Sequence, residues 1–166
     1  MFLQKYIHNS TRINYLDLDK LDFRNEKKLI FHQSESYLLN LLKFLQLKEI
    51  YEKRKINSIY LDTFDLNDFT DTVDGEKQRS KLRMRWYGQT FNSTIKPILE
   101  NKIKINNKNF KIKENLKILK ILNDLSYNEI KTYLNNSEVQ DPNILVGFQR
   151  RNPNIFISYD RRYFMF

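Results

Sequence analysis

Between Lys81 and Tyr87 the chain alternates without a break: Lys81, Arg83 and Arg85 take one set of positions, Leu82, Met84 and Trp86 the other. A strand sends successive side chains to opposite faces, so this segment reads as a strand with one cationic and one apolar face. Gly88 ends it. The arrangement recurs. Phe23–Phe31 reads as a strand with Arg24, Glu26 and Lys28 on one face, and Ile98–Ile105 as a strand with Glu100, Lys102 and Lys104 on one face. Residues 56–62, 144–151 and 154–165 are further strand segments. Helical spacing marks 34–48, where Ser34 is a candidate N-cap and Tyr37, Leu38, Leu41, Leu42 and Leu45 form a face suited to core packing. Residues 114–124 and 126–135 also read as helices, the second opened by a Ser126/Glu129 capping box. Residues 1–20 form a weakly structured or helical lead-in, and Thr63 to Gly75 is polar and turn-like. Strands of period two mixed with helices predict an α+β fold with a mainly antiparallel sheet.

With 166 residues, the chain is the size of one domain and long enough to bury a core. The 12 Phe and 10 Tyr argue against disorder, and 3 Gly with 3 Pro exclude collagen-like or flexible-linker chains. The chain has no Cys, which excludes disulfides, Cys-ligated zinc and thiol nucleophiles, and only 2 His. No apolar run approaches the length of about 18 residues needed to span a membrane, and the opening MFLQKYIHNS lacks the features of a signal peptide. The expectation is a cytoplasmic protein without a transmembrane segment. A net charge of +9, from 29 Lys and Arg against 20 Asp and Glu, favours an anionic partner.

Charge placement narrows that partner. A sheet curled into a barrel turns its charged face toward a polar lumen and its apolar face toward covering helices. Such a lumen, lined with Arg and Lys, repels itself unless a polyanion fills it. Arg suits phosphate because its planar fork donates parallel hydrogen bonds and keeps its proton. Converging guanidinium groups also stabilise charge on transferring phosphoryl oxygens. With 3 Gly, the chain contains neither GxxxxGK[ST] nor GxGxxG, so a triphosphate site here is built from side chains.

Ile56-Asn57-Ser58-Ile59-Tyr60-Leu61-Asp62-Thr63, Lys81-Leu82-Arg83-Met84-Arg85-Trp86-Tyr87-Gly88 and Leu99-Glu100-Asn101-Lys102 resemble the VTC domain, the polyphosphate polymerase domain of the triphosphate tunnel metalloenzyme superfamily. Arg24-x-Glu26-x-Lys28 resembles that family's first tunnel strand, and Ile157–Phe164 its later Tyr-x-Arg strand. The resemblance implies a single domain over residues 1–166, built as an antiparallel β-barrel tunnel or a partly open, curled sheet with helices outside. It implies binding of a nucleoside triphosphate such as ATP, transfer of the γ-phosphate to a polyphosphate chain, and help from Mn²⁺ or Mg²⁺. By position, Arg83, Arg85 and Lys102 would be catalytic. Arg24, Lys28, Arg83, Arg85, Lys102 and Arg161 would bind phosphates, with Arg150 a rival to Arg161. Glu26 and Glu100 would hold metal or balance charge.

The family continues past the Tyr-x-Arg strand, so the chain is expected to lack its C-terminal strands, leaving a tunnel completed by self-association or a partner chain. Three alternatives accompany the polymerase reading. One is a non-catalytic polyphosphate or nucleotide-binding module, another a tripolyphosphate or nucleoside triphosphate hydrolase. The distant third is nucleic-acid binding through basic residues interleaved with Trp86, Tyr87 and Phe91; nucleic acid is not the expected partner. Lys108, Lys111 and Lys113 read as a solvated basic run.

Overall fold

A computed structural model describes residues 29–91, 93–106, 108–121 and 126–166. The strand expected at Phe23–Phe31, with Arg24, Glu26 and Lys28, lies outside these residues except for 29–31, which are irregular. The element order is α1 (Glu35–Phe44), β1 (Lys48–Asp62), α2 (Asn67–Val73), β2 (Gln78–Tyr87), β3 (Ser93–Ile95), β4 (Ile98–Ile105), β5 (Lys108–Asn115), β6 (Leu119–Ile121), α3 (Tyr127–Asn135), α4 (Pro142–Phe148) and β7 (Asn152–Met165). Five strands form one antiparallel sheet in the order β5-β4-β2-β1-β7, and β3 pairs with β6 in a second. This is the α+β fold with an open sheet: among the described residues, β5 and β7 are its edges.

The alternation in β2 does what its period requires. Leu82, Met84 and Trp86 are at most 1% exposed and join Ile59, Leu61 and Leu99 in the core. Ile130 and Leu134 of α3, Ile144 of α4 and Ile95 of β3 cover that face. Trp86 stacks on Phe156 with ring centroids 5.8 Å apart, closing the core against β7. The opposite face of the same strands carries the charge.

Several expectations are corrected. The helix read over 34–48 ends at Phe44; Ser34 caps it, but none of its leucines is buried. Lys48 to Lys55 instead begins the 15-residue β1, because long-range pairing with β7 supplies hydrogen bonds that local sequence does not announce. The turn-like stretch 63–75 contains α2. Its first N–H, on Asn67, donates to Thr63 Oγ1, and the next two, on Asp68 and Phe69, donate to the Asp62 carboxylate, at 3.0 Å each, in place of a cap from Leu66. Of the helix read at 114–124, residues 114–121 hold the end of β5 followed by β6, and 122–124 lie outside the described residues. In β5, Phe110 and Ile112 alternate with Asn109, Lys111 and Lys113, a period of two that pairs with β4. The strand read at 144–151 is α4: Pro142 sits at its first position, where its missing N–H costs nothing, and Leu145 N–H donates to the Asp141 carbonyl at 2.8 Å. The Ser126/Glu129 capping box and the β4 and β7 strands appear where expected.

Between α2 and the start of β7, Arg151 grips Asp68 through two 2.7 Å hydrogen bonds, its Nε and Nη2 each donating to one carboxylate oxygen. Burial raises the Asp68 pKa more than the guanidinium lowers it. The pair pins segments 83 residues apart in sequence.

Candidate functional site: a basic sheet face

Cross-strand register builds the polar face rung by rung. Tyr60 of β1, Arg83 of β2, Glu100 of β4 and Lys113 of β5 stand opposite one another. On one side of this rung lie Ser58, Arg85 and Ile98; on the other, Lys81, Lys102 and Lys111; beyond these, Arg79, Lys104 and Asn109. Directly opposed residues share a face and stand about 5 Å apart. Across β2, β4 and β5 this face therefore carries eight cations, and its carboxylate is Glu100.

Glu100 is 2% exposed and holds the centre. Arg83 approaches its Oε2 with Nε at 2.9 Å and Nη2 at 2.8 Å, and Arg85 Nη1 lies 3.5 Å from the same oxygen. Lys111 takes the other oxygen, Oε1, at 2.8 Å. Arg83 Nη1 also donates to the Tyr60 hydroxyl at 3.0 Å, and Arg85 Nε to Ser58 Oγ at 3.1 Å. Burial alone would raise the Glu100 pKa, yet the Lys111 and Arg83 contacts outweigh it and hold the carboxyl below its ordinary value. For Arg83, burial works against the charge, but the Tyr60 bond and Glu100 keep its pKa above the ordinary value. Each guanidinium is thus aimed by a hydroxyl and a carboxylate beneath it, and retains further N–H groups on its Nη atoms.

The rung of Lys81, Lys102 and Lys111 sets three ammonium side chains on adjacent strands. Like charges directly opposed repel, and an anion laid across them relieves the repulsion. Lys102 is exposed and meets no carboxylate among the described residues.

The structure thus brings Arg83, Arg85, Lys102 and Glu100 onto one face of two neighbouring strands. Arg161 shares that face, since it opposes Arg54 of β1, but stands apart from the cluster. Four residues separate Arg54 from Ser58, the residue opposite Arg85, or about 14 Å along the strand. Arg150 is exposed in the turn between α4 and β7, off the sheet, so Arg161 is the one that shares the strand face. Arg24, Lys28 and Glu26 lie outside the described residues. Lys111, read from sequence as solvated, is a partner of the buried Glu100. The signal for it was the alternation of Asn109, Lys111 and Lys113 with Phe110 and Ile112. Tyr60 and Ser58 were missed as well; their period-two spacing in β1 is the matching clue.

Among the described residues, no three His, Cys, Asp or Glu side chains gather where they could hold a metal ion, and both oxygens of Glu100 are engaged by cations. The described face does not fit a divalent ion held by protein carboxylates. No helix among the described residues is long and apolar enough to cross a membrane. A family model described as the VTC domain matches residues 20–166. No curated protein matches the chain.

Proposed function

The chain belongs to the VTC domain family, and from that premise we propose that its basic sheet face binds a nucleoside triphosphate and transfers the γ-phosphate to a polyphosphate chain. The observation that carries this reading is the buried Glu100 flanked by Arg83, Arg85 and Lys111, with Lys102 on the adjoining rung. Phosphoryl transfer asks a protein mainly for positioning and for cations around the phosphoryl oxygens. A terminal oxygen of the acceptor polyphosphate forms a bond to the γ-phosphorus, and the bond from that phosphorus to the β–γ bridging oxygen breaks. The nucleoside diphosphate leaves with that electron pair, and the polyphosphate is one unit longer. The attacking oxygen is already anionic, so the step needs no general base. Arg83 and Arg85 would hold the γ-phosphoryl oxygens, and Lys102 would hold neighbouring phosphates. Glu100 fixes both guanidinium groups and balances their charge rather than binding metal. A divalent ion such as the Mn²⁺ or Mg²⁺ implied by the sequence resemblance would enter with the nucleotide and offset phosphate charge there.

A non-catalytic binding module is the second reading, because Arg83 is already engaged by Glu100 and Tyr60 before any ligand arrives. Incubation of the chain with ATP, Mn²⁺ and short polyphosphate separates the readings. Longer polyphosphate with matching nucleoside diphosphate supports the polymerase. Free phosphate marks a hydrolase, and binding without diphosphate release marks the module.

A further inference from the structure

Along the polar face the chemistry changes from cationic to aromatic. On β1 the residues facing this side run Tyr60, Ser58, Ile56, Arg54, and on β7 their partners run Ile155, Ile157, Tyr159, Arg161. Tyr87 of β2 opposes Ile56. Beyond Tyr87, β1 and β7 continue as a two-stranded ribbon, and the ribbon carries a stack of rings and guanidinium planes. Arg54 lies over the Tyr51 ring at 4.8 Å and the Tyr163 ring at 6.0 Å. Arg161 lies over Tyr159 at 5.3 Å and Tyr163 at 5.9 Å, and donates to the Tyr159 hydroxyl at 3.1 Å. Tyr51 and Tyr163 meet edge to face at 5.7 Å.

Arg54 and Arg161 differ from Arg83 and Arg85 in one respect that matters. They oppose each other directly, two like charges on adjacent strands, and neither meets a carboxylate among the described residues. Their charge is spread over tyrosine π-faces instead. Both are exposed, and Tyr51 is 52% exposed, so guanidinium and ring surfaces are open to a ligand. Planar cations backed by aromatic rings stack on planar, electron-rich ligands, and base stacking of this kind tolerates any nucleobase.

We propose that the Tyr51–Arg54–Tyr163 stack, with Arg161 beside it, is the platform for the base of the bound nucleotide. The inference rests on the phosphate reading of Arg83 and Arg85. Arg54 lies about 14 Å along the strand from the Arg85 level, a distance that a ribose and an extended triphosphate bridge. The intervening step is apolar and aromatic, with Ile157 and Tyr87 partly exposed. A face that is cationic at one end and aromatic at the other matches a ligand with the same two ends, and tripolyphosphate has only the first.

The test compares ATP with inorganic tripolyphosphate by titration calorimetry, on the full chain and three variants. Arg54→Ala touches only exposed atoms, so its fold is expected to survive; Tyr163→Leu is the second probe of the platform, and Arg83→Ala reports on the phosphate end. The proposal expects Arg54→Ala and Tyr163→Leu to weaken ATP at least about fivefold while tripolyphosphate affinity changes less than about twofold. Equal losses for both ligands would make Arg54 a phosphate cation and overturn the platform. Unchanged ATP affinity in both platform variants would overturn it too. Arg83→Ala answers separately: if neither ligand weakens, the phosphate reading fails, whatever the platform variants do.

Discussion

Two regions of the same sheet face hold arginines by opposite means. At the β2–β4–β5 centre, Arg83 and Arg85 are 17% and 7% exposed in their side chains and share the buried Glu100. On the β1–β7 ribbon, Arg54 and Arg161 are exposed and rest on tyrosine rings. The difference follows from solvent. A guanidinium that leaves water must recover its lost hydration from a counter-charge and directed hydrogen bonds, and Glu100, Tyr60 and Ser58 supply them. One that keeps water over part of its surface needs only a flat apolar neighbour, which costs little and aims it less. The centre is therefore fixed in geometry before a ligand arrives, whereas the ribbon can adapt to what lands on it.

The harshest way to break this contrast is Glu100→Ala. It strands the buried Arg85 and the largely buried Arg83, and the expected loss is about 3 kcal/mol of unfolding free energy, at the lower end of what breaking a buried pair costs. Chemical denaturation measures it, and added tripolyphosphate should restore part of it by binding the folded state. A loss below about 1 kcal/mol would mean that the centre is hydrated like the ribbon. Arg83→Ala comes next: triphosphate affinity in calorimetry should fall more than tenfold, or about 1.4 kcal/mol. Equal affinity would detach the centre from phosphate binding.

Acid sharpens the comparison further. The Glu100 pKa is lower in the folded chain than its ordinary 4.5, so the carboxylate contributes stability that is fully present above that value. The contribution is lost as pH falls through the lower, folded value. Stability should therefore drop below about pH 4.5, and Glu100→Gln should flatten that part of the curve. A curve unchanged by Glu100→Gln would assign the acid sensitivity to other carboxyls. The smallest effect is expected for Lys111→Met. Its side chain is 41% exposed, so its salt bridge is screened and the loss should stay below about 1 kcal/mol.

The centre of the face was legible in the sequence because period-two alternation is a local signal. Lys81, Arg83 and Arg85 had to share a side, and so did Glu100, Lys102 and Lys104. What the sequence did not disclose was register. Nothing local says that Arg83 stands opposite Glu100, or that Lys111 reaches the same carboxylate from a third strand. Those facts depend on pairings across many residues, which also turned the charged Lys48–Lys55 stretch into strand. The leucines of α1 misled for a related reason. Helical spacing shows that a face exists, not that anything in the described fold covers it. At 144–151, Ile and Val propensity favoured a strand, while Pro142 and the Asp141 carbonyl started a helix.

Glu100 has one more implication. A bare row of arginines would seize any polyanion and hold it, like a resin that is never eluted. Because this row carries its own fixed carboxylate, an arriving phosphate competes with a resident negative charge for the same guanidinium groups. Binding becomes an exchange between two anions, one tethered and one free, and whatever enters such a seat can also be let go.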